Sequence, residues 1–335
     1  MMINNAANLH AVNDLRYEPV PFPERGRDEV LIKVKSCGIC GSDIARVYKK
    51  GTYRFPTVIG HEFSGEIAES DDKSLIGKRA AVFPLIPCFH CESCKNESYA
   101  TCENYDYYGS RRDGAMAEYI AVKRWNVLIM PEGLSFDEGA MCEPVSVARH
   151  AVKRLGIKEG DSVLITGAGP IGLIAGQWAR LFGAKKVMYI DIDKRKTDSA
   201  RSLGFLRYDG SAADAFLEGT GHSDALGACL NAAKPHARGV LMGNPAGEIT
   251  LSQEEYWCIL RKELILSGTW NSSYSEGEND WRESLLKMAE GKINVKDLIT
   301  HRFPLSECKK AFEMIKSGSE FYIKVMLNMN EGGVK

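Results

Sequence analysis

Between Glu29 and Ser36 apolar and polar side chains alternate, with Val30, Ile32 and Val34 on one face and Lys33 and Lys35 on the other. A period of two predicts a half-buried strand. Short β-prone runs continue to about residue 140, among them Arg79–Pro84 and Met116–Lys123, separated by Gly, Pro and Asp. This stretch reads as a β-rich domain. Near Glu143 the pattern changes. Val145–Leu155 has helical texture, Ser162–Thr166 is β-prone, and Gly172–Phe182 is a helix closed by Gly183. Lys186–Asp191 is β-prone again, and Lys194–Leu203 is a helix closed by Gly204. Strands alternating with helices predict parallel βαβ units. Gly239–Met242 and Leu264–Ser267 continue them. Beyond Gly291 come Leu298–Phe303, a helix over Ser306–Lys316 and a final strand, Tyr322–Leu327.

The 335 residues exceed one typical domain, so two are expected. With 43 basic against 44 acidic residues the formal charge is −1, which gives no reason to propose nucleic acid or an anionic membrane as partner. The longest apolar run, Val163–Ala175, holds three glycines and a proline and is too short to span a bilayer. Met1–His10 has no basic region leading into an apolar stretch, so a cytoplasmic location is expected.

Gly167-Ala168-Gly169-Pro170-Ile171-Gly172 has Gly-x-Gly-x-x-Gly spacing. The hexamer alone is weak evidence, and a glycine turn in another α/β protein would look the same. Here it follows a predicted strand, opens a predicted helix and leads to Asp191 at the end of the next strand. In that setting the glycines permit a tight turn, close approach of a pyrophosphate and close helix packing. Asp191 accepts hydrogen bonds from ribose hydroxyls and repels a 2′-phosphate, which favours NAD over NADP. Lys194 and Arg195 follow closely; they either soften that preference or are plain surface charges.

Four of the ten cysteines, Cys88, Cys91, Cys94 and Cys102, form C-x2-C-x2-C-x7-C. Four thiolates from one lobe make a closed tetrahedral site, so structural zinc is expected. Iron–sulfur is the competitor, but ferredoxins follow the shared spacing with C-x3-C-P, and here Cys102 precedes Glu103. A second set is dispersed: Cys40, His61, Glu62 and Glu143. Taken singly, a cysteine is usually a small buried hydrophobe and a histidine more often caps a turn.

Their settings are Gly38-Ile39-Cys40-Gly41-Ser42-Asp43, Gly60-His61-Glu62 and Glu143-Pro144-Val145-Ser146-Val147-Ala148. With the cysteine lobe and the dinucleotide motif in the same order, nearly the whole chain resembles the zinc-dependent medium-chain dehydrogenase/reductase family, on its polyol branch. The resemblance implies a β-rich GroES-like catalytic domain over residues 1–149 and 291–335, and a doubly wound parallel-sheet (Rossmann) NAD-binding domain over 150–290. It implies catalytic zinc on Cys40 and His61, with Glu62 a ligand or close neighbour and Glu143 in the family's variable position. Cys142 adjoins Glu143, but Pro144 favours the glutamate. Asp43 is expected to orient His61, as metal-bound histidines generally require. Ser42 matches the hydroxyl that passes on the alcohol proton, whereas Ala45 stands where a histidine relay is often found.

The implied function is zinc-dependent hydride transfer from a secondary alcohol of a polyol or polyol phosphate to NAD, in a homodimer or homotetramer. Sorbitol/L-iditol, threonine or butanediol oxidation is the alternative on this scaffold, and a non-catalytic NAD-binding protein the alternative of another class. Basic residues near the expected cleft, Arg46, Lys49, Lys50, Arg54, Arg111 and Arg112, raise phosphate recognition, with Arg46 and Arg111 or Arg112 as candidates. One segment departs from the pattern. Only six residues separate Tyr208 from Ala215, where a parallel crossover normally takes about a dozen. Either a helix is lost there or the neighbouring strands are short.

Overall fold

In the computed structural model, which describes residues 3–329, the first alternating run forms the strand Glu29–Gly38. Val30, Ile32 and Val34 are buried on one face, and Leu31 is buried as well. The strand is the hub of a seven-stranded sheet. It pairs antiparallel with Glu62–Glu69, with Tyr119–Lys123 and, through Ser36, Cys37 and Gly38, with Lys324–Asn328. The last of these pairs in parallel with Ile299–Pro304. The chain's tail therefore completes the sheet that its first part begins.

The chain divides into two compact units. Described residues up to Glu143 and from Tyr274 onward form one, and Pro144–Ser273 the other. Met1, Met2 and residues 330–335, which the expected domain limits include, lie outside the described residues. Helix Asp280–Ala289, expected in the nucleotide-binding domain, groups by its contacts with the first unit. Its buried face, Trp281, Leu285 and Met288, explains why. Trp281 meets Phe83 edge-on at 5.5 Å between centroids, and Tyr274 stacks on Phe83 at 4.4 Å.

The second unit is built from β1 (Ser162–Thr166), α1 (Pro170–Leu181), β2 (Lys186–Ile190), α2 (Lys194–Ser202), β3 (Leu206–Arg207), β4 (Ala213–Glu218), α3 (Ser223–Ala232), β5 (Ala233–Leu241), α4 (Gln253–Arg261) and β6 (Ile265–Gly268). All strands are parallel, in the order β3-β2-β1-β4-β5-β6. That order reverses between β1 and β4, the switch point of a doubly wound sheet.

Both halves of the expectation about the short segment hold. β3 has two residues, and residues 208–212 cross from it to β4 without a helix. The chain must pass β2 and β1, three strand spacings or about 14 Å. Six Cα steps reach about 20 Å when extended but only about 9 Å as a helix, so the crossing leaves no room for one. Lys186 anchors it, its Nζ donating to Asp209 at 2.8 Å and to Ser211 Oγ at 2.7 Å. Among the described residues no helix is long and apolar enough to cross a membrane.

Candidate active site

Cys40 lies two residues beyond the central strand and caps the short helix Gly41–Ala45. Its sulfur accepts from Ser42 N at 3.5 Å, and the Asp43 carboxylate reaches back to Cys40 N at 3.0 Å. That reciprocal cap fixes the thiol's direction. His61 and Glu62 enter from the neighbouring strand, which begins at Glu62. Ligating atoms of Cys40, His61 and Glu62 lie within 4.8 Å of one another. Thiolate, imidazole and carboxylate together suit zinc. Behind them Asp43 is fully buried, its Oδ1 3.3 Å from His61 Nδ1. This is an ion-pair distance whose alignment falls short of a hydrogen bond, leaving both atoms without one. Burial draws the His61 imidazolium pKa down, but Asp43 outweighs it and holds the value well above normal.

Glu143 stands outside this trio, in the first turn of helix Cys142–Arg154, and is 7% exposed. Burial pushes its carboxyl up to about 7, with His61 opposing and Glu62 adding to the rise. The Cys142 thiol donates to Trp281 O at 3.7 Å, which leaves Glu143 as the member of this pair that senses His61 and Glu62. Ser42 Oγ accepts from Arg46 Nη1 at 2.8 Å, so Arg46 occupies the surroundings of the expected proton relay.

Two residues here escaped the sequence reading. Lys324, 3% exposed, forms an ion pair with Glu62 and donates to Ile39 O at 3.1 Å. Burial lowers its pKa, but Glu62, Cys40 and Glu143 more than offset this and the net shift is upward. The available signal was a lysine inside the otherwise apolar run Ile323–Leu327. Tyr107 is the other: its ring lies 5.7 Å from the His61 ring. Burial raises its hydroxyl pKa well above normal, and the charges of Glu143, Cys40 and Glu62 add to the rise.

In the cysteine lobe, Cys88 Sγ and Cys94 Sγ lie 3.8 Å apart, and Cys91 Sγ and Cys102 Sγ 3.9 Å. A tetrahedron with zinc–sulfur arms of 2.3 Å has edges of about 3.8 Å, so the four sulfurs fit one central ion. The backbone amides of His90 and Cys91 help lower Cys88 to about 6, while burial pushes Cys94 up to about 12. A cation is what lets all four remain thiolates. Phe89 and Tyr99 of the lobe pack edge-on against Trp125, which in turn meets Tyr274 at 4.9 Å. The metal loop is thus pinned to its own unit by rings.

In the second unit Gly167 adopts φ +89°, and a Cβ at Gly172 would come 2.0 Å from Gly167 O, so neither position tolerates a side chain. A Cβ at Gly169 would meet nothing within 4 Å, the open approach that a pyrophosphate needs. Pro170 and Ile171 start α1, whose first-turn amides have no intrahelical acceptor. Asp191 accepts from Ala168 N and Asp193 N, both at 2.8 Å, each carboxylate oxygen keeping a further lone pair. Arg195 is bound to Asp193, and Lys194 lies 3.6 Å from Asp198. The loop and Asp191 fit a dinucleotide.

Residues 26–132 match the alcohol dehydrogenase GroES-like domain, and residues 170–291 the zinc-binding dehydrogenase domain. Galactitol 1-phosphate 5-dehydrogenase of Escherichia coli K12 is 37% identical over 84% of this chain and 87% of its own. The crystal structure of the Escherichia coli galactitol-1-phosphate dehydrogenase superposes with a TM-score of 0.89 and 34% identity, covering 97% of this chain and 99% of that one. Sorbitol dehydrogenase of Bombyx mori is 32% identical over 97% of this chain and 99% of its own. A zinc-binding dehydrogenase from Sinorhizobium meliloti, bound to NADP, gives a TM-score of 0.90 at 27% identity, covering 98% and 100%.

Proposed function

Because this chain belongs to the zinc-binding alcohol and polyol dehydrogenase family, we propose that it oxidises a secondary alcohol of an open-chain polyol or polyol phosphate, with NAD as hydride acceptor. The observation that carries this reading is the buried donor set of Cys40, His61 and Glu62, with Glu143 beside it. Those residues would hold the catalytic zinc, and Cys88, Cys91, Cys94 and Cys102 the structural one. When bound, the catalytic ion supplies Lewis acidity that lowers the pKa of an alcohol hydroxyl, and NAD supplies the acceptor for hydride.

The chain's own residues supply the rest. Asp43 holds the His61 ring from behind, and Lys324 holds the Glu62 carboxylate. Ser42 Oγ accepts from Arg46 and keeps a second lone pair, with which it would accept the substrate's hydroxyl proton while releasing its own toward solvent. Arginine has no acceptor, so a proton cannot leave the site along Ser42 and Arg46. Tyr107 walls the site beside His61. The polyol class is supported by the names of the two curated relatives and by a carboxylate at position 143. In the second unit the Gly167–Gly172 turn and α1 would receive the pyrophosphate, and Asp191 the ribose. Arg195 is committed to Asp193, which favours NAD over NADP. A homodimer or homotetramer remains part of the proposal, to be read by light scattering.

The test is a panel of free and phosphorylated polyols, threonine and 2,3-butanediol, followed by nicotinamide absorbance with NAD and NADP in parallel. Turnover of polyols with NAD is the expected result, and Asp191→Ser should narrow the advantage over NADP by about tenfold or more. Turnover of threonine or butanediol alone would refute the substrate class. A wild type that prefers NADP would refute the cofactor assignment.

A further inference from the structure

The arginines near the candidate site differ in what they face. Arg54 Nη2 lies 2.9 Å from Asp113, and Arg112 Nε 3.1 Å from Asp106. Arg46 lies 3.5 Å from Asp43 and donates to Ser42. Each is neutralised by a carboxylate. Arg111 is not: its guanidinium lies 4.3 Å from the ring centre of Tyr53 and 4.5 Å from that of Tyr105. Its Nε is buried without a hydrogen-bond partner, and among the described residues no carboxylate pairs with it.

Two tyrosine rings restrain a guanidinium by cation–π attraction and strip part of its water, yet neither ring supplies a countercharge. A cation desolvated in this way regains free energy when an anion engages its fork through paired hydrogen bonds. Its position is also suitable. Arg111 N donates to Tyr107 O at 3.1 Å, so the arginine sits one turn from the residue whose ring packs against His61. The Tyr105 ring lies 6.2 Å from that of Tyr107, and Tyr53 N donates to Ser110 O at 3.2 Å. A row of rings thus runs from the metal-ligating imidazole to the unpaired guanidinium.

We propose that Arg111, restrained by Tyr53 and Tyr105, is the clamp for an anionic end group on the substrate and sets the preference for charged over neutral polyols. This rests on the polyol reading above. The anion is a phosphate monoester or a carboxylate, and the fork of donors suits either. Arg46 and Arg112, which the sequence alone leaves as equal candidates, are excluded from this role by their own partners.

The experiment compares kcat and KM for a hexitol, its 1-phosphate and the corresponding aldonate in the zinc-loaded enzyme, for wild type, Arg111→Met, Arg111→Lys and Arg112→Met. Wild type should favour an anionic substrate, the two anionic arms showing whether phosphate or carboxylate is the natural end group. Arg111→Met should raise KM for that substrate about 10- to 100-fold with a smaller change in kcat, collapsing the anionic-to-neutral ratio. Arg111→Lys keeps the charge without the fork and should recover only part of the ratio, whereas Arg112→Met should keep it. A ratio unchanged in Arg111→Met, or a wild type indifferent to substrate charge, overturns the clamp. Should wild type oxidise no polyol at all, the function proposed above fails, and thermal melting decides the clamp separately. Stabilisation of wild type but not Arg111→Met by hexitol 1-phosphate supports it, and no stabilisation of wild type overturns it.

Discussion

Replacing Lys324 with methionine removes one half of an ion pair whose side chains are 3% and 2% exposed. Methionine fills much of the lysine's volume, so packing changes little and the charge is what is lost. Glu62 would then be a buried carboxylate that senses Glu143 without its nearest cation. Breaking one side of a buried pair costs about 3–5 kcal/mol. In a unit of this size each kcal/mol moves the melting temperature by about 2–4 °C, so Lys324→Met should melt about 6–20 °C below wild type. Glu62→Gln should also destabilise, by stranding the ammonium. The double variant removes both charges, and its loss should be at least about 2 kcal/mol smaller than the sum of the singles. Calorimetry on chelator-treated protein measures the pair itself, and repeating it with zinc shows how far the metal substitutes for the lysine. Melting of Lys324→Met within 2 °C or so of wild type, or strict additivity in the cycle, would show that the pair is not desolvated and refute the reasoning.

Glu143 gives a pH signature in metal-free protein. Its carboxyl is raised from 4.5 to about 7, so its contribution to stability is fully present below pH 4.5 and is lost as pH rises through 7. The loss should be on the order of 3 kcal/mol and absent in Glu143→Gln; a wild-type-minus-variant stability difference that is flat from pH 4 to 8 would contradict it. Metal analysis should find two zinc ions per chain in wild type and one in Cys94→Ser, whose lobe should become sensitive to proteolysis because zinc binding and local folding are coupled. A wild type holding a single zinc would sink the two-site assignment.

What could be read from the sequence was whatever is written locally. The alternation at Glu29–Ser36, the βα rhythm after Ser162 and the four cysteines within fifteen residues each carry their period or spacing in one short window. Helix Asp280–Ala289 shows the limit. Its apolar side announces that it packs, but nothing in it names Phe83 as the partner or the first unit as the place where it packs. The Lys324–Glu62 pair spans 262 positions, and no local pattern joins them. Arg46, Arg111 and Arg112 are equivalent as letters; only the placement of Asp43, Asp106, Tyr53 and Tyr105 separates a paired arginine from an unpaired one.

The C-terminal strand Lys324–Asn328 also sets a timetable. It lies between Glu29–Gly38 and Ile299–Pro304, so until it is in place the central strand lacks a neighbour. On a ribosome adding about 5–20 residues per second, Lys324 is made roughly 13–50 s after Glu62. For that interval the nascent first unit carries Glu62 without its lysine and a sheet with an open edge. The second unit, whose strands all lie within residues 162–268, can meanwhile close on itself. A nascent chain halted before residue 324 would therefore hold a folded second unit while the surroundings of Glu62 are still unfinished.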